Sequence, residues 1–157
     1  MESNNKDGVQ KQNLHNILAH SHTMQFILFL LGVLLDSIFK IRIFTSSPLI
    51  VDFGVVLLML GSVLIFWAQY TSHHLPEEDI TKESFSRGPY RYIKNPTNFG
   101  IFFMILGFGI ISNSFFVILF GFISSLIAKF VFLDKEKEIL ISKYGAPYLE
   151  YRKSVKF

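Results

Sequence analysis

The polar residues that could do chemistry are concentrated in one stretch, GPYRYIKNPTNFG, at residues 88–100. Asparagine is a favoured N-cap and proline fits the first helical position, so Asn95 and Pro96 predict the start of a helix. The N-terminus of that helix would present free backbone N–H groups and a partial positive charge, which suit a carboxylate or a phosphate. Arg91 and Lys94 add cations beside it. The stretch therefore indicates either an anion-binding site or an interfacial belt of tyrosines and cations that anchors a helix.

A second polar stretch, DKEKEILISKYGAPYLEYRKSV, follows the last apolar segment. We expect a helix that runs out of the membrane to Tyr144, with Gly145 as its C-cap and Pro147 opening a last short helix. Glu136 and Glu138 would lie within about one turn of the membrane edge. The spacing alone leaves two interpretations open, a solvated charged face or the wall of a site.

Other chemistry finds little support in the sequence. There is no cysteine, which excludes disulfides and cysteine-ligated metals. Neither histidine pair, His20 with His22 or His73 with His74, has the spacing of four that places two metal ligands on one helical face. The net charge is only +3, and no basic run interleaves with aromatic residues in a polar context. We therefore predict that the protein binds neither metal nor nucleic acid.

Four apolar segments must position the polar stretches. Half of the 157 residues are apolar, 18 are phenylalanine, and mean hydropathy is +0.40. The segments are residues 23–38, 49–70, 99–111 and 115–133. A helix needs about 20 apolar residues to cross a bilayer, so the second and fourth segments qualify alone. The first qualifies if it starts near Ile17, and the third must recruit residues 96–98. The short polar break at 112–114 makes the last two segments an antiparallel hairpin.

The distribution of cations predicts how these helices are oriented. Twelve of the fifteen lysines and arginines fall in residues 1–23, in the loop at 71–98 or in the tail from 134 onwards. By the positive-inside rule, both termini and this loop lie in the cytoplasm. We therefore predict an all-α, multi-pass integral membrane protein with about four transmembrane helices, a C-terminal helical hairpin and a cytoplasmic helical tail. Residues 1–22 form a polar N-terminal segment, and 23–157 form one domain whose partner is the lipid bilayer.

In order and spacing, three linked blocks resemble the isoprenylcysteine carboxyl methyltransferases, which belong with the membrane-embedded phospholipid methyltransferases. The family pattern is G-P-Y-R-Y-x-R-H-P-x-Y-x-G, a helical hairpin, E-E-x-x-L and F-G-x-x-Y-x-x-Y. The resemblance covers roughly residues 60–157, with polar blocks at 86–100 and 134–151. The family's Arg-His pair is Lys94-Asn95 here, its second tyrosine is Asn98, and its second acidic residue is Lys137.

The resemblance implies a methyltransferase that binds S-adenosylmethionine at the cytoplasmic end through the two polar blocks, and that methylates an apolar or lipidic acceptor. It assigns catalysis to Arg91, Asn95 and Glu136. It assigns cofactor binding to Gly88, Tyr90, Tyr92, Lys94, Asn95, Pro96, Asn98, Gly100, Glu136, Glu138 and Leu140.

Two alternatives stay open. Sterol-type double-bond reductases share a related R-H-P-N-Y-x-G-E block and use NADPH, although here Gly100 is followed by Ile101 instead of glutamate. A non-catalytic membrane protein could also keep the fold, and the substitutions at Lys94, Asn95, Asn98 and Lys137 favour that alternative. The identity of the acceptor and the oligomeric state are not readable from the sequence.

Overall fold

The computed structural model describes residues 2–45, 47–73 and 81–155, and within these ranges the chain is helical with no strand. The long helices are α1 (Glu2–Phe39), α2 (Pro48–His73), α4 (Pro96–Ile111) and α5 (Phe115–Ile127). A π-helical turn, Ala128–Phe132, joins α5 directly to α6 (Leu133–Tyr144). Short helices complete the fold: α3 (Lys82–Phe85), a 3₁₀ turn (Gly88–Arg91) and α7 (Ala146–Ser154). The all-α prediction is confirmed, and α1 joins the polar N-terminal segment to the first apolar helix without a break.

Within the described residues, three helical stretches are long and apolar enough to cross a membrane: Asn16–Phe39, Pro48–Ser72 and Phe115–Tyr144. The last has 30 residues, or about 45 Å of helix, so its final turns project beyond a hydrocarbon core of about 30 Å. Helix α4 has 16 residues and is about 24 Å long. The chain is thus built as an integral membrane protein, while a fourth crossing by α4 stays a prediction.

Helices α2 and α4 run antiparallel with their backbones in close approach. A Cβ atom added at Gly61 would lie 2.6 Å from the carbonyl oxygen of Gly100, and one added at Gly107 would lie 2.6 Å from that of Gly54. Ala68, a further seven residues along α2, is fully buried. Small residues at such a seam let membrane helices pack closely through van der Waals contact. The α2–α4 pair therefore forms a rigid support for the polar stretch at 88–100.

Helix α5 lies between α1 and α4. Gly32 of α1 faces the backbone of Val117, where an added Cβ would lie 3.0 Å from the Val117 Cα atom. On the other side, Gly109 of α4 packs against Ile118 of α5. The short turn between Ile111 and Phe115 makes α4 and α5 the antiparallel hairpin that the sequence predicts. The helices therefore follow the spatial order α1, α5, α4, α2.

The apex of the hairpin is tied to the loop between α1 and α2. The Asn113 side-chain oxygen accepts the backbone N–H groups of Ile43 and Phe44, both at 2.9 Å, and its amide nitrogen donates to the Phe44 carbonyl at 2.7 Å. Arg42 donates to the carbonyl of Ser112 at 2.8 Å. The side-chain amide thus takes the place of a backbone peptide group and closes this end of the bundle.

Asp36 of α1 completes the same end. Its carboxylate accepts the backbone N–H groups of Phe116 at 3.3 Å and Val117 at 3.1 Å, in the first turn of α5. Those N–H groups have no partner within their own helix, and the N-terminus of a helix favours a negative charge. Ser114, the N-cap residue of α5, makes no capping bond of its own. A carboxylate from a different helix therefore caps α5.

Candidate active site

The stretch at 88–100 begins at a position, Gly88, that accepts no residue other than glycine. Gly88 has φ +52°, and a Cβ atom added there would collide with the side chain of Thr71 on α2. The 3₁₀ turn that follows leaves Tyr90 partly buried, whereas Arg91 and Tyr92 are exposed. The positive φ thus holds the turn against α2 and directs its first tyrosine into the protein.

The predicted helix start is confirmed. Asn95 occupies the N-cap of α4, and Pro96 is buried at the first helical position. The Asn95 side chain forms no capping hydrogen bond, and it lines a pocket together with Lys94. Since the first N–H groups of a helix have no partner within it, this end of α4 presents donors and a partial positive charge.

The C-terminal tail returns to the 3₁₀ turn. Helix α6 ends at Tyr144, as predicted, and Gly145 reverses the chain with φ +61°. Helix α7 then brings Tyr151 over the turn, where its hydroxyl donates to the Tyr90 carbonyl at 2.8 Å. The ring of Phe85 on α3 lies 5.1–5.7 Å from those of Tyr144, Tyr148 and Tyr151. We call these four rings the aromatic cluster.

The hydroxyls around this cluster stay protonated at neutral pH. Burial raises the pKa of Tyr90, and the Glu136 carboxylate raises it further. Burial likewise raises the pKa of Tyr148, although a hydrogen bond from Arg152 acts against it. The pKa of Tyr151 is also raised, first by burial and then by the neighbouring tyrosines. These hydroxyls therefore keep their protons, and that of Tyr151 donates a hydrogen bond to the Tyr90 carbonyl.

Two pockets flank Lys94, which lines both. The first, which we call the aromatic pocket, has a volume of about 220 Å³. Its walls combine the aromatic cluster and Tyr90 with Glu136 and the hydroxyls of Thr71, Ser72 and Ser84. The second, the charged pocket, has a volume of about 440 Å³, and its polar lining comprises Lys94, Asn95, Asn98, Ser125, Lys129, Asp134 and Arg152. Arg152 of the charged pocket also lies close enough to Glu136 of the aromatic pocket to interact with it electrostatically. The two pockets are therefore coupled by this pair of charges as well as by Lys94.

The structure brings half of the sequence-predicted residues into these pockets. Tyr90, Glu136 and Leu140 line the aromatic pocket, Asn95 and Asn98 line the charged pocket, and Lys94 lines both. The others line neither of the two pockets: Gly88, Arg91, Tyr92, Pro96, Gly100 and Glu138. Gly88 and Pro96 shape the backbone beneath the pockets, Gly100 lies in the α2–α4 seam, and Glu138 is exposed. Their roles in binding stay predictions.

Several pocket residues were not singled out from the sequence. Phe85 and Ser84 come from α3, which precedes the motif. The sequence marks Arg152 only as one of the cations of the tail. Its position on the same short helix as the two buried tyrosines, Tyr148 and Tyr151, is the sequence feature that could have placed it in the site. Lys129, by contrast, is recognisable in the sequence as the one charge within the apolar segment 115–133, where it could mark the membrane edge or line a cavity, and in the structure it lines the charged pocket from the π-helical turn.

Among residues 16–45, 47–72 and 81–155, whose side chains the structure describes, no group of three or more His, Asp or Glu side chains could hold a metal ion. His73 and His74, two of the four histidines considered above, lie outside these ranges, as do residues 75–80 of the basic loop.

The comparisons with known proteins bear on the family. The family model described as phospholipid methyltransferase matches residues 49–147, which is more than half of the chain. The match includes nearly all of α2, the polar stretch at 88–100, the hairpin and α6, and it excludes α1 and most of α7. No curated protein and no solved structure matches the chain. The chain belongs to the phospholipid methyltransferase family.

Proposed function

We propose that this protein is an S-adenosylmethionine-dependent membrane methyltransferase that transfers a methyl group to an apolar or lipidic acceptor at the cytoplasmic membrane face. Membership of the phospholipid methyltransferase family supports methyl transfer, and the long apolar helices support a reaction at the bilayer. The observation that carries the proposal is that Lys94 joins two pockets of complementary chemistry at one end of the bundle.

The residues of the two pockets fit the functional groups of S-adenosylmethionine. A carboxylate suits Lys94, Asn95 and the N-terminus of α4, because these supply a cation and free N–H donors. Ribose hydroxyls or an amino group suit the Glu136 carboxylate in the aromatic pocket. The faces of the aromatic cluster suit an adenine ring or a cation. The lining of the two pockets therefore offers chemically matched partners for the carboxylate, for the ribose or amino group, and for the adenine ring or the cation.

When bound, S-adenosylmethionine would supply an electrophilic methyl group on a sulfonium, and Lys94, Asn95 and Glu136 would hold the cofactor in the two pockets. The protein needs no general base if the acceptor is an anion. Its residues position the reactants, a contribution that can reach about 7–11 kcal/mol. The buried aromatic wall also excludes water, which strengthens the electrostatic interactions of Lys94 and Glu136.

We further propose that α4 is a fourth transmembrane helix and that both termini face the cytoplasm. The bundle supports this topology because α4 runs antiparallel to α2 along the Gly54–Gly107 and Gly61–Gly100 seam. The polar stretch at 88–100 and the tail then lie on the side that carries most of the lysines and arginines.

A ligand panel tests the proposal on the detergent-purified full chain. We expect S-adenosylmethionine and S-adenosylhomocysteine to raise the midpoint of thermal unfolding and NADPH to leave it unchanged, because a ligand that binds only the folded state stabilises it. Stabilisation by NADPH alone would replace the proposal with the reductase alternative. Stabilisation by none of the three, even at millimolar concentrations, would favour a non-catalytic protein.

A matched pair of substitutions tests the site. Burial raises the pKa of Glu136 to about 7. At about pH 8, where its carboxyl group is ionised, Glu136→Gln removes a charge in the aromatic pocket, and Glu150→Gln makes the same change at an exposed position of α7. A hydrogen bond to a charged group is worth about 1.5–3 kcal/mol, so Glu136→Gln should weaken S-adenosylmethionine binding roughly 10- to 150-fold. Glu150→Gln should leave the affinity within about twofold, because its side chain lines neither pocket. Equal affinities for the two variants would contradict the placement of the site.

A further inference from the structure

Helix α1 buries a glutamine whose side chain reaches the start of α4. Gln25 is only 2% exposed, and its amide nitrogen donates a hydrogen bond of 3.5 Å to the side-chain oxygen of Asn98. Helix α1 packs mainly against α5, so this bond is a contact that the glutamine makes beyond the main interface of its helix. It links α1, which lies outside the residues that match the family, to the charged pocket that Asn98 lines.

The burial of Gln25 costs free energy. Its oxygen Oε1 has no partner among the described residues, and neither has the hydroxyl of Ser21, which lies one turn earlier on the same helix and is 1% exposed. Most buried polar atoms in native proteins are hydrogen-bonded, because leaving them unpaired is unfavourable. An apolar residue at position 25 would pack without that penalty. The effect of Gln25 on Asn98 therefore explains its presence better than packing does.

The side-chain amide of Asn98 has two different ends, and Gln25 holds one of them. An amide carries an acceptor oxygen and a donor N–H2 group. Because the Asn98 oxygen accepts the bond from Gln25, the N–H2 group is the end that is left for the charged pocket. The pocket alone would favour the reverse orientation, since the cations Lys94, Lys129 and Arg152 attract the oxygen of an amide dipole. Gln25 thus opposes the field of the pocket.

The orientation of this amide affects what the charged pocket binds. The N–H2 group of Asn98 adds a neutral donor to the three cations, and Asp134 is the one carboxylate in the lining of the pocket. Such a lining matches an anion, whose oxygens accept charge-assisted hydrogen bonds. An amide oxygen turned into the pocket would instead repel the oxygens of the anion.

We propose that Gln25 is a positioning residue for the charged pocket: by donating to the Asn98 oxygen, it turns the N–H2 group of Asn98 towards the carboxylate of a bound ligand. A donor that is oriented in advance need not be ordered when the ligand binds, which favours affinity. The identity of the ligand as S-adenosylmethionine rests on the function proposed above.

Two ligands that differ only in the carboxylate test the role of Gln25. The affinities of the full-length protein in detergent for S-adenosylmethionine and for decarboxylated S-adenosylmethionine are measured by calorimetry, and we expect the wild-type protein to prefer the former. Gln25→Met removes the amide from an unbranched side chain of similar length. It should weaken S-adenosylmethionine binding roughly 3- to 10-fold and binding of the decarboxylated ligand less than about twofold. Gln69→Met, the same change at an exposed position of α2, should alter neither affinity.

Asn98→Leu distinguishes the two orientations of the amide. If the N–H2 group faces the pocket, its loss should weaken S-adenosylmethionine binding at least about tenfold. If the oxygen faces the pocket, its loss would leave the affinity unchanged or increase it. In the Asn98→Leu background, Gln25→Met should not change the preference between the ligands further, because both residues act through one bond. The single Asn98→Leu variant keeps the test decisive if Gln25→Met fails to fold.

The outcomes separate this inference from the proposed function. Equal weakening of both ligands by Gln25→Met would show a merely structural role and overturn the inference. An unchanged preference in folded Gln25→Met, or an Asn98→Leu variant that binds S-adenosylmethionine as tightly as the wild-type protein, would also overturn it. A wild-type protein that binds neither ligand would instead overturn the proposed function, and this inference with it.

Discussion

The Tyr151→Phe substitution isolates one hydrogen bond between the tail and the 3₁₀ turn. It keeps the ring in the aromatic cluster and removes only the hydroxyl that donates to the Tyr90 carbonyl at 2.8 Å. Tyr151 is 3% exposed, so water cannot readily replace the lost donor. Leaving a buried carbonyl unpaired costs about 1–3 kcal/mol. Since about 1.4 kcal/mol corresponds to a factor of ten, local opening of the turn should become roughly 5- to 150-fold more frequent.

Hydrogen–deuterium exchange of a peptide covering residues 88–95 measures that opening. Within it, the backbone N–H groups of Tyr92 and Ile93 both donate to the Pro89 carbonyl, at 3.1 and 3.0 Å, and exchange when the turn opens. Exchange of this peptide should accelerate by the factor given above. Peptides from the α2–α4 seam should be unchanged, because they do not contact Tyr151.

Tyr144→Phe is the matched control, because it removes a tyrosine hydroxyl from another ring of the aromatic cluster and leaves the hydrogen bond between Tyr151 and Tyr90 in place. We expect its effect on the 88–95 peptide to be less than about twofold. If Tyr151→Phe and Tyr144→Phe alter the exchange equally, or if neither alters it, the tail does not hold the turn and our reasoning about this bond is refuted.

Three further predictions concern the bundle and the cluster. Gly107→Ala should destabilise the protein by about 1–3 kcal/mol in thermal unfolding in detergent, because the new methyl group would lie 2.6 Å from a backbone oxygen of α2. An unchanged unfolding midpoint would contradict the close packing of α2 against α4. Asp36→Ala should cost about 0.5–2 kcal/mol in the same assay through loss of the α5 cap, whereas Asp52→Ala at an exposed position should cost little. The pKa values of Tyr148 and Tyr151 are raised in the folded protein above the ordinary tyrosine value of 10.0. As the pH rises, these two hydroxyls therefore lose their protons in the unfolded chain before they do so in the folded protein. Unfolding midpoints should therefore be insensitive to these tyrosines below about pH 10 and fall above it, and a flat profile to about pH 11 would contradict their burial.

The sequence predicted the elements whose signals are local. An asparagine followed by a proline fixes the start of α4 at Pro96, because the N-cap and the first helical position each favour those residue types. A glycine fixes the end of α6 at Tyr144, because Gly145 can adopt a positive φ. The hairpin follows from a short polar break between two apolar runs. Each inference needs only neighbouring residues, which is why these element bounds agree with the structure.

The relations between distant residues were not readable in the same way. Gln25 and Asn98 are 73 positions apart, and nothing in the pattern of α1 distinguishes a buried glutamine from a lipid-facing one. Gly100 illustrates a different limit. A glycine in a short polar motif can serve either a ligand or a neighbouring helix, and only the position of Gly61 on α2 reveals the packing contact. The composition of the site was therefore predictable in part, and its division into two pockets joined by Lys94 was not.

The bonds that close the far end of the bundle also constrain its order of assembly. Asn113 pairs with a loop 69–70 residues earlier in the chain, and Asp36 caps a helix that begins about 80 residues later. During synthesis, α1 and α2 therefore emerge while the Asp36 carboxylate and the amides of Ile43 and Phe44 still lack these partners. The arrival of the α4–α5 hairpin satisfies all of them at once. A chain truncated before residue 112 would leave all of these polar groups without the partners that they have in the folded protein.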